Sequence, residues 1–205
     1  MPRLAFWYEF ASNYSWLSAM RIEELAAARG VAVVWRPFLL GPIFRAQGWT
    51  SSPFNLYPAK GRHMRRDMER ITVARGLVLT WPAVFPADSL LATRLALIGE
   101  RDGWVAAFSR AVFTAEFGAG RDISDRTVLA EILTGLGLDP EALFVEAAHP
   151  EVKQALRERG EVAVACGIFG APSFVCEDGE LFWGDDRLSE AIDWAAGTHP
   201  ARMEQ

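Results

Sequence analysis

The sequence is poor in the residues that carry most metal, disulfide and nucleic-acid chemistry. It holds two cysteines and three histidines in 205 residues. Cys166 and Cys176 form no Cys-x-x-Cys pair, which argues against a dithiol redox motif or a zinc knuckle. Both lie in apolar surroundings and read as buried thiols of a reducing compartment. His63, His149 and His199 stand alone, without metal-ligand spacing, so no metal is expected. Positive charge is scarce as well: the net charge is −5. Arg62, Arg65 and Arg66 come closest to a basic run but are interleaved with Asp67 and Glu69. That balance argues against a nucleic-acid partner. No stretch approaches the roughly 18 uncharged apolar residues of a membrane span; residues 87–100 come nearest and contain Asp88 and Arg94. The N-terminus has Arg3 and then Glu9 inside its apolar run, which is not the pattern of a signal peptide. A cytoplasmic protein without a membrane partner is expected. Half of the residues, 51%, are hydrophobic and 23% are charged, the balance of a globular chain. No internal repeat or low-complexity tract interrupts it.

What is abundant is concentrated at the start. Phe6-Trp7-Tyr8-Glu9-Phe10 suits a buried strand. Trp16 to Arg29 is rich in Ala, Leu, Met and Glu and suits a helix. Between them lie two hydroxyls three apart, Ser12 and Ser15. A strand feeding a helix this tightly leaves backbone N–H groups free at the turn, a setting for an anion. The same serines equally read as plain helix caps.

Gly30 closes the helix, and residues 31–38 form a β-branched second strand stopped by Pro37. The helical connection makes the two strands parallel, a right-handed βαβ unit. Residues 39–60 carry Gly41, Pro42, Gly48, Ser51, Ser52, Pro53 and Pro58 and read as a long loop. Asn55 and Lys60 are the side chains in it best able to reach a ligand, or else solvated loop residues. Arg62–Arg75 reads as a helix ended by Gly76. Trp81 and Phe85 lie in a Pro-broken apolar loop, as the walls of a flat pocket or as core aromatics.

Helices then follow from about Asp88, Trp104, Ser124, Asp139-Pro140 and Glu151, the last with Gly160 as a weak point. The end returns to strands: residues 168–176 and 181–184 flank Asp178-Gly179 and predict an antiparallel hairpin. Pro172 opens a strand that should be central, best explained by a cis peptide in a tight turn. Asp185-Asp186 starts a last helix. The order is that of an α/β, thioredoxin-like domain (βαβ…ββα) from residues 1–40 and 160–205, with an all-helical insertion over 41–159.

With Ser12-Asn13-Tyr14-Ser15, the chain carries Phe54-Asn55, Pro58-Ala59-Lys60-Gly61, Trp81-Pro82, Phe169-Gly170-Ala171-Pro172-Ser173-Phe174 and Phe182-Trp183-Gly184-Asp185-Asp186-Arg187-Leu188. Together these resemble the 2-hydroxychromene-2-carboxylate isomerase family, relatives of the kappa-class glutathione transferases within the DsbA-like group. In that group the disulfide oxidoreductases carry Cys-x-x-Cys where this chain has Ser12 to Ser15. The resemblance implies glutathione as cofactor, with Ser12 activating its thiol. It implies Asn55 and Lys60 on the tripeptide, Ala171 and Pro172 clamping its cysteinyl segment, and Asp185 and Asp186 receiving its γ-glutamyl end. Tyr14, Trp81 and Phe85 remain as contacts for an aromatic carboxylate substrate. A homodimer is implied too.

The chain departs from the family twice. Asn13 stands where Pro is usual, and Asp185 where Asn or Ser is usual, which would set a negative charge beside the glutamyl carboxylate. The activity implied is isomerisation of 2-hydroxychromene-2-carboxylate to trans-o-hydroxybenzylidenepyruvate. The alternatives are a kappa-type transferase that conjugates electrophiles, and a redox-dead thioredoxin-fold binding module. Redox exchange at the turn itself is excluded, because two hydroxyls form no disulfide.

Overall fold

The computed structural model describes residues 1–203. A four-stranded sheet in the order β2-β1-β3-β4 organises it. β1 (Arg3–Tyr8) runs parallel to β2 (Ala32–Pro37), with Phe6 opposite Trp35. β3 (Ser173–Cys176) is antiparallel to β1, and β4 (Leu181–Trp183) is antiparallel to β3. The expected parallel pair and C-terminal hairpin are therefore both present.

Alternation along β1 explains its central place. Leu4, Phe6 and Tyr8 are fully buried in the main core, while Trp7 turns to a second apolar cluster with Phe38, Ala163 and Ile168. A strand apolar on both faces has to be covered on both. The main core is continuous with the helical segment: Phe10 packs against Phe108 and Phe113, and the Tyr8 hydroxyl meets that of Ser109 at 2.6 Å.

The single helix expected after Ser12 is two: α1 (Asn13–Ala19) and α2 (Ile22–Ala27). The break falls at Arg21, at φ −136°, where the guanidinium is drawn to the backbone oxygen of Asp185 at 2.7 Å. The long loop expected over 39–60 contains α3 (Leu40–Ala46) and α4 (Pro53–Leu56). Their starts depend on a distant anchor and on proline. The Leu40 N–H donates to the buried Glu9 carboxylate at 2.9 Å, and Pro53 follows the capping Ser52.

α5 (Pro58–Ala74) begins earlier than the apolar spacing suggests, with Pro58 in its first turn. Gly61 is required there, since a Cβ would lie 2.4 Å from the Phe54 carbonyl oxygen. α6 (Leu90–Asp102), α7 (Val105–Phe113), α8 (Arg126–Gly135), α9 (Pro140–Ala147) and α10 (Pro150–Ala165) follow. Gly160 does not break α10. α7 continues as a π-helical turn, Thr114–Gly118. After β4 come a 3-10 turn, Asp185–Arg187, then α11 (Leu188–Ala195) and α12 (Pro200–Met203).

Candidate active site

The site forms where β1 ends. Ser12 precedes α1 with extended backbone, and its Oγ accepts the Ser15 N–H at 3.2 Å. This is the cap reading, and it holds. The same hydroxyl does a second thing: it donates to the Ala171 carbonyl at 3.0 Å, 159 residues away. The Ala171–Pro172 peptide is cis. Two segments from opposite ends of the chain thus meet at one hydroxyl. Among the described residues the Ala171 N–H donates to no protein acceptor, and Ala171 is partly exposed. Beside Ser12 lie a free backbone donor and a carbonyl held only by a hydroxyl, the pattern that receives an extended peptide strand. Gly170 is needed for this turn, because a Cβ there would lie 2.3 Å from Trp183 Nε1.

Ser15 is fully buried and its hydroxyl has no hydrogen-bond partner. Asn13 is buried too, with Nδ2 2.8 Å from the Met64 sulfur. The Tyr14 hydroxyl donates to Asp67 on α5 at 2.9 Å. Burial, and then that carboxylate, push the Tyr14 phenol well above its ordinary value, so it stays a neutral donor.

The aromatic wall closes around Tyr14. Its ring lies 6.2 Å from Phe54. The next residue, Asn55, reaches the Phe85 carbonyl at 3.4 Å. Phe85 packs edge-on to Trp81 at 5.6 Å, and Arg65 covers the Trp81 ring at 4.5 Å. Tyr14, Asn55, Trp81 and Phe85 are therefore joined in one wall. Lys60 is exposed in the first turn of α5, its amine 5.0 Å from the Tyr57 ring.

Asp185 corrects an expectation. Its side chain is 4% exposed. The carboxylate accepts from Ser18 Oγ at 2.9 Å, Arg21 Nη2 at 3.2 Å, and Arg75 Nη1 and Nη2 at 3.2 and 2.6 Å. It therefore offers no bare negative charge to a ligand. Asp186 is the opposite, with a side chain 77% exposed. It folds back so that a Cβ on Gly184 would lie 2.5 Å from its Oδ1, and Gly184 has φ +106°.

Four further groups escaped the sequence reading. Arg21 and Arg75 carry only charge in the sequence, with nothing to mark their partner. Glu9 is 6% exposed and ties β1 to α3 and α6 through Leu40 N–H and the Ser89 hydroxyl. Burial pushes its carboxyl up, and the donors from Ser89, Leu40 and Ala11 pull it back. Glu116 is fully buried in the π-helical turn, and neither of its oxygens has a partner. Burial pushes its carboxyl well up, and Glu9 and Asp122 add to the rise, which favours the protonated form. The interrupted helix at Thr114–Gly118 is the kind of local irregularity found near functional sites, but it leaves no pattern in sequence. Phe117, next to Glu116, stacks on Trp16 at 5.6 Å and meets Phe85 at 6.3 Å. Glu116 thus sits on the element joining α1 to the aromatic wall.

The cysteines take no part. Cys176 is buried, its thiol pushed up to about 12 by burial and by Asp178. Cys166 is half-buried, more open than expected. Among the described residues no group of three or more His, Cys, Asp or Glu is placed to hold a metal ion, and no helix is long and apolar enough to cross a membrane.

The chain is 28% identical over 183 residues to 2-hydroxychromene-2-carboxylate isomerase of Sphingobium xenophagum, covering 89% of this chain and 92% of that protein. It is 26% identical to glutathione S-transferase kappa 1 of Homo sapiens, over 92% of this chain and 88% of that one. A solved structure of a 2-hydroxychromene-2-carboxylate isomerase superposes with TM-score 0.85 at 24% identity, over 95% of this chain and 94% of that one, which shows a shared fold. Residues 3–192 match the DSBA-like thioredoxin domain. The chain belongs to the DSBA-like thioredoxin domain family, with serines at both positions of the turn that opens its first helix.

Proposed function

We propose that the protein is a glutathione-dependent isomerase that converts 2-hydroxychromene-2-carboxylate to trans-o-hydroxybenzylidenepyruvate, or a close aromatic relative of that acid. The observation that carries this reading is the meeting of the Ser12 hydroxyl with the Ala171 carbonyl at 3.0 Å, beside a free Ala171 N–H. The names of the relatives support it.

When bound, glutathione supplies a thiolate that adds to a conjugated pyruvate, allows the carbon–carbon bond to rotate, and leaves unchanged. The chain's own residues hold and tune it. The Ala171 N–H and C=O take the cysteinyl backbone, and Ser12 turns its proton from the Ala171 carbonyl to the sulfur. A hydrogen bond to a charged acceptor gives roughly 1.5–3 kcal/mol. α1 has only seven residues, so its dipole adds at the low end of about 0.3–2 kcal/mol. About 2.7 kcal/mol in total corresponds to roughly two pKa units, enough to bring a thiol from about 8.5 to about 6.5. Asn55 and Lys60 flank the tripeptide, and Tyr14, Trp81 and Phe85 face the flat substrate. The twofold pairing of such subunits and a cytoplasmic location belong to the same reading, as does a division into a thioredoxin-like part (1–40 and 160–205) and a helical insertion (41–159).

Ser12→Ala tests it. The ultraviolet thiolate absorbance of bound glutathione should fall at neutral pH, and turnover should drop by about tenfold to a hundredfold, the equivalent of one charge-assisted hydrogen bond. Unchanged rates would remove Ser12 from the chemistry. The kappa-type relatives favour one rival, conjugation of electrophiles. Product analysis decides: an isomerase returns glutathione in full, a transferase consumes it. A binding module without catalysis would hold glutathione with its thiol at the ordinary pKa.

A further inference from the structure

The sheet has a second face, and the Ser12 turn makes no use of the groove on it. Ala5 and Trp7 of β1 turn to this face, as strand alternation requires. Val34, Ala5 and Val175 stand in register across three strands, with the smallest side chain at the centre. That row spans about 10 Å, two strand spacings. α10, which packs chiefly on α6, walls it with Val162 and Cys166. The result is a groove of about 430 Å³, within the roughly 300–1,000 Å³ of small-molecule sites.

The two ends of the groove differ in charge. At one end Arg3 and Glu177, one residue beyond the Leu4–Cys176 pair, bring opposite signs. At the other end the paired residues Trp7 and Arg36 are joined by Arg159 of α10, whose guanidinium lies 5.7 Å from the Trp7 ring. Arg36 and Arg159 share a single carboxylate, Glu100, so this end keeps a net positive charge. Trp7 is 4% exposed, and its indole N–H has no acceptor among the described residues. A buried donor without a partner is unfavourable until an acceptor reaches it. An apolar row with surplus cation and an unmet donor at one end complements a small organic acid.

We infer that this groove binds a small apolar monocarboxylate. Its ring or chain lies on the Val34–Ala5–Val175 row, and its carboxylate sits between Arg36, Arg159 and the Trp7 indole N–H. The site shares no residue with the Ser12 turn or the aromatic wall, and it stands whether or not the glutathione reading does.

Heteronuclear NMR tests this without turnover, because the chain has eight tryptophans and each gives one indole N–H signal. The Trp7 signal is assigned by its loss in Trp7→Phe. Two probes of similar shape are compared, 2-naphthoate and the uncharged 2-naphthamide. 2-Naphthoate should move the Trp7 indole proton downfield and saturably, and should bind at least about tenfold more tightly than the amide, the scale of one charge-assisted hydrogen bond. Arg36→Met leaves Arg159 and Glu100 as a one-to-one pair, so charge balance is kept while the preference for the acid should vanish. Ala5→Leu fills the row and should weaken 2-naphthoate by about tenfold with the charges intact. A Trp7 signal that 2-naphthoate leaves in place, or that both probes move at equal concentration, overturns the site. An unchanged preference in Arg36→Met does the same. A Trp7 signal that shifts with protein concentration alone, alongside dimer formation in sedimentation, gives the face to a second copy of the chain and also overturns it.

Discussion

Two buried carboxyl groups, Asp185 and Glu116, lie at similar depth and lead opposite lives. Asp185 is 4% exposed and Glu116 fully buried. Asp185 meets one hydroxyl and two guanidinium groups, all of them donors. Glu116 meets none, and its electrostatic neighbours are two further acids, Glu9 and Asp122. Depth is therefore not what decides the charge on a buried acid. The partners decide it, because a carboxylate leaves water only where other groups replace its solvation. One group is an ionic staple between α1, α5 and the 3-10 turn. The other is a partnerless acid on the turn beside the aromatic wall.

The largest expected effect breaks the staple. Asp185→Ala leaves Arg21 and Arg75 without their shared anion and should cost about 2–4 kcal/mol, near the low end for a broken buried pair because both arginines keep some solvent. A shift of the denaturation midpoint measures it, and a loss of less than about 0.5 kcal/mol would place Asp185 among ordinary surface acids. Next comes the orphan acid. Glu116→Met should stabilise the protein at pH 8 by about 1–3 kcal/mol, since it replaces a partnerless polar group with an apolar one of similar volume.

The same variant sharpens the contrast with pH. Glu116 holds its proton more tightly folded than unfolded. Its contribution is therefore fully present below the ordinary carboxyl value of 4.5 and is lost as pH rises toward the raised folded value. The variant should lose that part of the decline, leaving the same-signed share from Glu9. An unchanged pH–stability curve would mean that Glu116 is ionised and partnered.

The smallest effect is expected at Ser15, a neutral group with the same fault as Glu116. Ser15→Ala removes a buried hydroxyl without a partner and should change stability by less than about 1 kcal/mol, in either direction. It should also leave the bound thiol's ionisation untouched, whereas Ser12→Ala should not. A large loss of stability in Ser15→Ala would show a partner for that hydroxyl.

Much of the frame was legible because its causes are local. The alternating aromatics of β1, the β-branched run of β2 and the Asp178-Gly179 turn each prefer their conformation within a few residues. So does Ser12, whose cap needs only the next turn. Where the reading failed, the cause was remote. α3 opens on a hydrogen bond to Glu9, 31 residues earlier. The helix after Ser12 breaks where Arg21 turns toward a partner 164 residues on. Arg75 looks like any helix-end arginine until Asp185 arrives 110 residues later.

Residue order alone thus determined the strands, the hydroxyl turn and the absence of a dithiol pair, because short-range sterics and hydrogen bonds select them wherever the chain goes. Tertiary structure alone decided which charges are spent and which are left over. The ionisation and availability of a carboxylate or guanidinium depend on the few groups within hydrogen-bonding reach, and in this protein those groups come from distant parts of the chain.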